Sequence, residues 1–333
     1  MILRTNVKLN LGLNVLRKRP DGYHDIETYF VPCHDFGDTM EVITGDDYSR
    51  TSAALFARYG DNISQRISPD GKLMITIARE KGVDWEPLKD LCAKAYFLLD
   101  KDFGLPPVKI FLEKKAPVGA GLGGGSADAA FTLKALNELC GLGLSDESLS
   151  EYASRLGSDC AFFIWNRPMI GTGRGEILEP FDVDLSGFEI KVIVPEGVSV
   201  STAEAYRGIV PRHPSPSLPS PSQSAPSPEG SGATDASLRS APPLVPLRST
   251  PVPPLTVPRV ACSAAPLPSG DGLKETLKRP VEEWKDLLVN DFEATVFKTH
   301  PELEAIKKSL YESGAIYATM SGSGSAMFAI YNK

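Results

Sequence analysis

The sequence predicts a mixed chain of helices and strands filling one large or two ordinary domains. Three observations carry that expectation. Val7, Leu9, Leu11, Leu13 and Val15 alternate with Lys8, Asn10, Gly12 and Asn14, the period-two pattern of a strand. The apolar run Val108-Lys109-Ile110-Phe111-Leu112 leads through a glycine-rich stretch into Ala129, Ala130, Leu133, Leu136 and Cys140, whose spacing of three and four is that of a helix with one buried face. Hydrophobic residues make up 42% of the 333, enough for a substantial core.

Taken in order, the first strand has an apolar face for the core and a second face bearing Lys8 and Asn10, either solvated or lining a cleft. Pro20-Asp21-Gly22 is a turn from which Tyr23 and His24 emerge together; such a pair is structural or functional. Ile26, Thr28 and Phe30 alternate into a second strand, and Phe36-Gly37-Asp38 turns into a third over 39–43. The polar stretch 46–70 has no clear period, 73–77 is a strand, and 86–100 reads as one helix. Gly141 and Gly143 stop the helix that follows the glycines. Ser145 caps the next helix, with Asp146 and Glu147 in its first turn and Gly157 at its end.

Asp159 lies between that glycine and the apolar run 160–164. It either caps the turn or is a carboxylate at the rim of the core, where burial tunes a base. Gly171-Thr172-Gly173-Arg174-Gly175-Glu176 is a second glycine-rich stretch, and 190–194 is a strand entering a second domain. From 211 to about 270 the chain turns to Pro, Ser and Ala, with more than half of the 28 prolines. Such a composition predicts a disordered, partly polyproline-II insertion. Beyond it, 280–296 and the stretch around Leu303, Ile306 and Leu310 read as helices, and 315–319 and 326–331 as strands. Ser321-Gly322-Ser323-Gly324-Ser325 between those strands is a plain turn or a flap of N–H and hydroxyl donors facing the first glycine stretch.

That first stretch reads Ala116-Pro117-Val118-Gly119-Ala120-Gly121-Leu122-Gly123-Gly124-Gly125-Ser126-Ala127. Five glycines before a helix start make an anion site, most often for phosphate, because glycine lets the backbone approach a ligand and the helix presents unpaired N–H groups. It is not a dinucleotide turn: several residues intervene after the strand, and no acidic residue closes a second strand about 20 residues on. It is not a Walker loop, since no Lys-Ser/Thr follows the last glycine.

The formal charge of −7 makes nonspecific nucleic-acid or anionic-membrane binding a poor prospect, so an anionic ligand must be held by local donors. No apolar run reaches bilayer length and no signal-peptide core opens the chain. Five scattered cysteines without a CxxC pair predict reduced thiols and a cytoplasmic location. The four histidines form no metal-ligand spacing.

The loop 117–126 resembles the phosphate-binding motif of the GHMP small-molecule kinases. Val7-Lys8-Leu9-Asn10-Leu11 with Lys18-Arg19-Pro20-Asp21-Gly22-Tyr23-His24 narrows the resemblance to the branch that acts on a cytidine diphosphate-linked methylerythritol in the non-mevalonate isoprenoid pathway. Leu156-Gly157-Ser158-Asp159, Pro195-Glu196-Gly197-Val198-Ser199 and Thr319-Met320-Ser321-Gly322-Ser323-Gly324-Ser325-Ala326 fit in the same order.

The resemblance implies an α+β fold of two domains. Residues 1–165 would resemble domain 2 of ribosomal protein S5, and 166–333, interrupted by the insertion, would be ferredoxin-like. It implies transfer of the γ-phosphoryl of ATP to a tertiary 2-hydroxyl. Pro117, Val118, Gly119, Ala120, Gly121, Leu122, Gly123, Gly124, Gly125, Ser126 and Ala127 would hold ATP, with Ser126 near Mg2+. Asp159 would be the general base and Lys8 would stabilise developing charge. Asn10 would orient the substrate, Tyr23 stack on cytosine, His24 hydrogen-bond it, and Tyr206 complete the sandwich. A monomer or weak homodimer with a small-molecule substrate follows. Ser126-Ala127 departs from the Ser-Ser of many members, and the insertion is not part of the family pattern. A mevalonate- or homoserine-type acceptor, or an inactive nucleotide-binding adaptor displaying the proline-rich arm, are the competing readings.

Overall fold

The computed structural model describes residues 1–45, 50–211 and 272–333. A short β1 (Ile2–Arg4) leads into β2 (Val7–Lys18), the long alternating strand, which pairs antiparallel with β3 (His24–Cys33). Then come β4 (Thr39–Thr44), α1 (Arg50–Tyr59), β5 (Ile63–Ile67), β6 (Leu73–Arg79), α2 (Leu91–Phe103) and β7 (Val108–Lys114). α3 (Gly124–Leu139), α4 (Asp146–Leu156) and α5 (Cys160–Trp165) follow the glycine loop, then β8 (Met169–Gly173), β9 (Ile177–Pro180), β10 (Phe188–Ile193) and α6 (Thr202–Tyr206). The C-terminal part holds α7 (Leu273–Leu277), α8 (Trp284–Leu287), α9 (Glu293–Thr299), α10 (Pro301–Glu312), β11 (Tyr317–Met320) and β12 (Met327–Asn332). The proline-rich insertion expected over 211–270 lies, apart from Pro211, outside the described residues.

Three sheets result among the described residues. β1-β4-β7-β6-β5 is mixed, with β6 and β7 parallel; β2-β3-β8-β9 and β10-β12-β11 are antiparallel. The second sheet takes β8 and β9 from beyond residue 166. β10, β11 and β12 with α9 and α10 make the ferredoxin-like C-terminal region.

The alternation of β2 is real, but over residues 7–13 neither face is wet. Val7, Leu9 and Leu11 enter one core cluster, while Lys8 and Asn10 are only 3% and 2% exposed. The polar face is therefore a cleft wall. The predicted stripe of α3 is likewise realised: Ala129, Ala130, Leu133 and Leu136 are buried against α2 and α5 in the largest core cluster. Ser145 accepts from the Ser148 N–H and caps α4 as expected.

Two expectations are corrected and one open stretch is filled in. The helix read over 86–100 starts at Leu91; Pro87–Lys89 is a 3-10 turn, and Asp90 caps α2 by accepting from Cys92 N at 2.9 Å. In the polar stretch 46–70 the structure has α1 and β5, which bury so little (Leu55 and Tyr59 on α1) that no period shows. The helix read over 280–296 is broken. Leu13 N donates to Val289 O at 2.9 Å and Asp291 N to Leu13 O at 2.8 Å, so this segment pairs with β2 where Gly12 bulges out of register. Those tertiary bonds outweigh a helical pattern that propensity alone sustains.

A buried ionic cluster fixes the chain entering the glycine loop. Lys114 Nζ, at the end of β7, donates to Asp38 Oδ2 and, at 2.6 Å, to Asp128 Oδ2 of α3. Asp38 Oδ1 accepts the backbone N–H groups of Lys115 and Ala116 at 2.6 and 2.7 Å, and Thr5 Oγ1 donates to Asp128 Oδ1 at 3.1 Å. Burial, reinforced by the Asp38 charge, pushes the Asp128 carboxyl far above the usual carboxylate range despite Lys114. Removing the cation leaves the Asp38 carboxylate and the buried Asp128 carboxyl without their shared partner. Lys114→Met should therefore destabilise the fold by about 3–5 kcal/mol, read by denaturant unfolding; a loss below about 1 kcal/mol would contradict this account.

Candidate active site

The loop 117–123 runs from the ionic cluster to the start of α3. Gly119, Gly121 and Gly123 all have positive φ, near +75°, so the backbone reverses repeatedly and exposes its amides. Gly121 is also a close contact: a Cβ there would lie 2.3 Å from Ser321 O. The cap of α3 is Gly123, which has no side chain to satisfy the first turn, so the N–H groups of Gly124, Gly125 and Ser126 remain for a ligand. Ala127 does not belong with them: its N–H is bonded to Gly123 O at 2.9 Å and its side chain is buried away from the cavity. Ser126 Oγ lies against the Cys160 thiol, which burial pushes up to about 12 and so keeps protonated.

Two sequence-distant segments close on this loop. Lys8 N donates to Leu122 O at 2.9 Å, and Lys8 Nζ donates to Gly121 O at 3.1 Å and to Asn10 Oδ1. Asn10 Nδ2 in turn donates to Thr28 Oγ1 at 3.0 Å, and that hydroxyl to Gly12 O at 2.6 Å. Both ends of the Asn10 amide are thus engaged, and its oxygen is held towards the ammonium. Lys8 Nζ also lies 3.5 Å from Asp159 Oδ2. Asp159 is the residue before α5, yet its side chain makes no capping bond; one third exposed, it faces the cavity. The capping alternative therefore falls.

The loop 321–325 faces the glycine loop rather than forming a free turn. Ala326 N donates to Ala120 O at 3.0 Å, and Ser321 Oγ accepts from Asn10 N at 3.3 Å. Asn290 Nδ2 donates to Met320 O and Gly322 O at 2.7 and 2.8 Å and pins the loop from behind. Sequence reasoning missed Asn290 because it sat inside a presumed helix; an asparagine in a helix interior was the available signal.

At the other end stand the aromatic residues. His24 and Tyr206 stack with centroids 4.6 Å apart, and Tyr206 abuts Phe292 edge-on at 4.7 Å. His24 and Tyr206 form one stacked platform, and Tyr23 and Tyr206 line the same cavity. Burial, with Lys18 nearby, lowers the His24 pKa and favours the neutral imidazole, with one donor and one acceptor nitrogen. Tyr23 is 56% exposed, and the Arg174 guanidinium sits 5.1 Å from its ring. One cavity of about 1200 Å³ joins these parts: Lys8, Asn10, Tyr23, His24, Asp159, Tyr206 and the loop 117–126 all line it. It also reaches Trp85 and Lys89 before α2.

Comparison with known proteins agrees. Residues 90–167 match the GHMP kinases N terminal domain, and 273–333 the GHMP kinases C terminal domain. The chain is 39% identical over 332 residues to the 4-diphosphocytidyl-2-C-methyl-D-erythritol kinase of Bacteroides fragilis, covering 100% of this chain and 92% of the relative. It is 37% identical to the enzyme of that name from Cytophaga hutchinsonii, with 100% and 93% covered. The crystal structure of a 4-(cytidine 5'-diphospho)-2C-methyl-D-erythritol kinase superposes with a TM-score of 0.62 at 25% identity, over 99% of this chain and 89% of that one. A phosphate-type loop, a lysine-aspartate pair beside it and full-length relatives lead to one conclusion: this chain belongs to the GHMP kinase family.

Proposed function

We propose that the chain phosphorylates the 2-hydroxyl of 4-(cytidine 5'-diphospho)-2-C-methyl-D-erythritol, with ATP as donor. The observation that carries this reading is the 3.5 Å approach of Lys8 Nζ to Asp159 Oδ2, beside a loop of free amides and within reach of an aromatic platform. Phosphoryl transfer asks a protein mainly for positioning and charge stabilisation. In the reading offered here, Asp159 accepts the hydroxyl proton as the alcohol oxygen bonds to the γ-phosphorus, and the bond to the β-phosphate oxygen breaks to release ADP. Lys8 faces the charge that develops on the transferring group, and Asn10 and Gly121 O hold its ammonium in place. The amides of Gly124, Gly125 and Ser126 take the phosphates, and the cavity towards Trp85 takes the adenosine.

The same reading includes Mg2+ as the companion of ATP. Among the described residues no three acidic, thiol or imidazole groups cluster to hold a metal. That donor set still suits Mg2+, which keeps waters and phosphate oxygens and needs only one or two protein oxygens. Ser126 Oγ, in the first turn of α3, would hold the ion, which would supply charge neutralisation to the bound phosphates.

The aromatic platform favours a nucleobase-bearing acceptor over mevalonate or homoserine. Solved homoserine and mevalonate kinases share the fold at TM-scores of 0.54 and 0.56, but at 15% and 12% identity. Among the described residues no helix is long and apolar enough to cross a membrane, and Cys33, Cys92, Cys140 and Cys160 are free thiols, which supports a cytoplasmic setting. Two domains joined near residue 166, and a monomer or weak homodimer without nucleic-acid partners, complete the proposal.

A coupled ADP-release assay should show turnover with the cytidine diphosphate-linked acceptor and none with mevalonate or homoserine. Turnover of either control instead would overturn the acceptor assignment. Asp159→Asn should lower kcat by about 100- to 10,000-fold while ATP binding, read by calorimetry, is kept; full activity would remove Asp159 from the role of base. Tyr206→Leu, which keeps bulk but loses the aromatic face, should raise the acceptor KM about tenfold and leave the ATP KM unchanged. Equal effects on both KM values would place Tyr206 outside the acceptor site.

A further inference from the structure

The second glycine-rich stretch is a tight hairpin between β8 and β9, aimed at the cavity. Thr172 pairs with Ile177, and Gly175 N donates to Thr172 O at 3.0 Å. Arg174 stands at the tip between Gly173 and Gly175, whose φ values are +70° and +114°. Its neighbours fix its place in the site. On one side its guanidinium covers Tyr23, 5.1 Å from the ring centroid. On the other, a Cβ on Gly175 would lie 3.8 Å from Asp159 Oδ1. Arg174 thus lies between the aromatic end of the cavity and the carboxylate.

Its charge is also only partly committed. Lys8, Lys89, Lys114 and Arg174 are the lysines and arginines that line it among the described residues. Lys114 is held by Asp38 and Asp128, and Lys8 by Asn10, Gly121 O and Asp159. Lys89 stands beside Asp90 at the start of α2, towards the phosphate loop; a Cβ on Gly125 would meet Leu91 at 4.0 Å. Arg174 has one ion pair, Nε to Glu176 Oε1 at 3.5 Å, while Glu176 Oε2 accepts the Arg174 N–H at 2.6 Å and anchors the hairpin. Neither Nη atom has a hydrogen-bond partner among the described residues, and 31% of the side chain is exposed.

The acceptor assigned above has its own negative charge in its middle: a diphosphate separates cytosine from the methylerythritol. With the base on the aromatic platform and the 2-hydroxyl at Asp159, that diphosphate must cross the space between them. We propose that Arg174 clamps the acceptor's diphosphate, its free Nη donors forking onto the phosphate oxygens. The planar guanidinium suits a bidentate phosphate contact, and such charge-assisted bonds are the strong ones. This assignment rests on the acceptor reading above and adds a specificity residue to it.

The test compares CDP with cytidine as competitive inhibitors against the acceptor, in the wild type, Arg174→Gln and Arg174→Lys. A clamp predicts that Arg174→Gln weakens CDP inhibition by about tenfold or more while cytidine inhibition and the ATP KM stay unchanged, with Arg174→Lys recovering part of the loss. Equal weakening of CDP and cytidine would mean that Arg174 merely props Tyr23, and would overturn the clamp. Unchanged CDP inhibition in Arg174→Gln would overturn it too. Failure of both compounds to compete in the wild type would instead defeat the acceptor reading on which the clamp depends, so the two failures are told apart.

Discussion

The meeting of the Lys8 ammonium and the Asp159 carboxylate is the constraint around which the site is arranged. Lys8 comes from the second strand and Asp159 from the turn before α5. Bringing a cation into a nearly closed environment is costly unless it is paired and hydrogen-bonded. The cost is offset by three partners at once: the carboxylate, the Asn10 amide oxygen and the Gly121 carbonyl. Because Gly121 belongs to the phosphate loop, the pair and the loop cannot move independently. Placement of the groups proposed to react follows from how the cation is satisfied.

The supports behind that pair are themselves buried and polar. Thr28 fixes the Asn10 amide, Asn290 holds the serine-glycine loop by two carbonyls, and the Asp38–Lys114–Asp128 cluster ties β7 and α3 to the turn before β4. Glu293, at the start of α9, accepts from Thr319 Oγ1 and Met320 N at 2.9 and 2.8 Å and steadies the strand leading into the same loop. Each of these groups is satisfied, which makes a polar interior rigid rather than costly. A preorganised donor array of this kind is what phosphoryl transfer uses, since its donors need not reorganise as charge develops.

Much of this was legible in the sequence where local chemistry decides. The alternation of β2, the Ser145 cap and the three-and-four spacing of α3 depend on near neighbours, and the structure follows them. The glycine stretch before α3 announced an anion site because glycine and a helix start are both local facts. What could not be read depends on distant partners. The segment carrying Asn290 has a helical pattern, yet it pairs with Leu13 because β2 bulges there. Asp159 looked as much like a cap as a base; the structure shows no capping bond and places Lys8 beside it. The stacking of His24 on Tyr206 could not be read, because the two residues lie far apart in the chain. Arg174 stood out only by its flanking glycines; the strand pairing of β8 and β9 shows where it points.

The central claim is that Lys8 and Asp159 act as one unit on one reacting centre. The most direct measurement is a double-mutant cycle on kcat with Lys8→Met, Asp159→Asn and the double variant. Groups acting as a unit are strongly non-additive, so the double variant should lose about as much as the worse single variant. Losses that simply multiply, each substitution costing the same factor whether or not the other is present, would contradict the account.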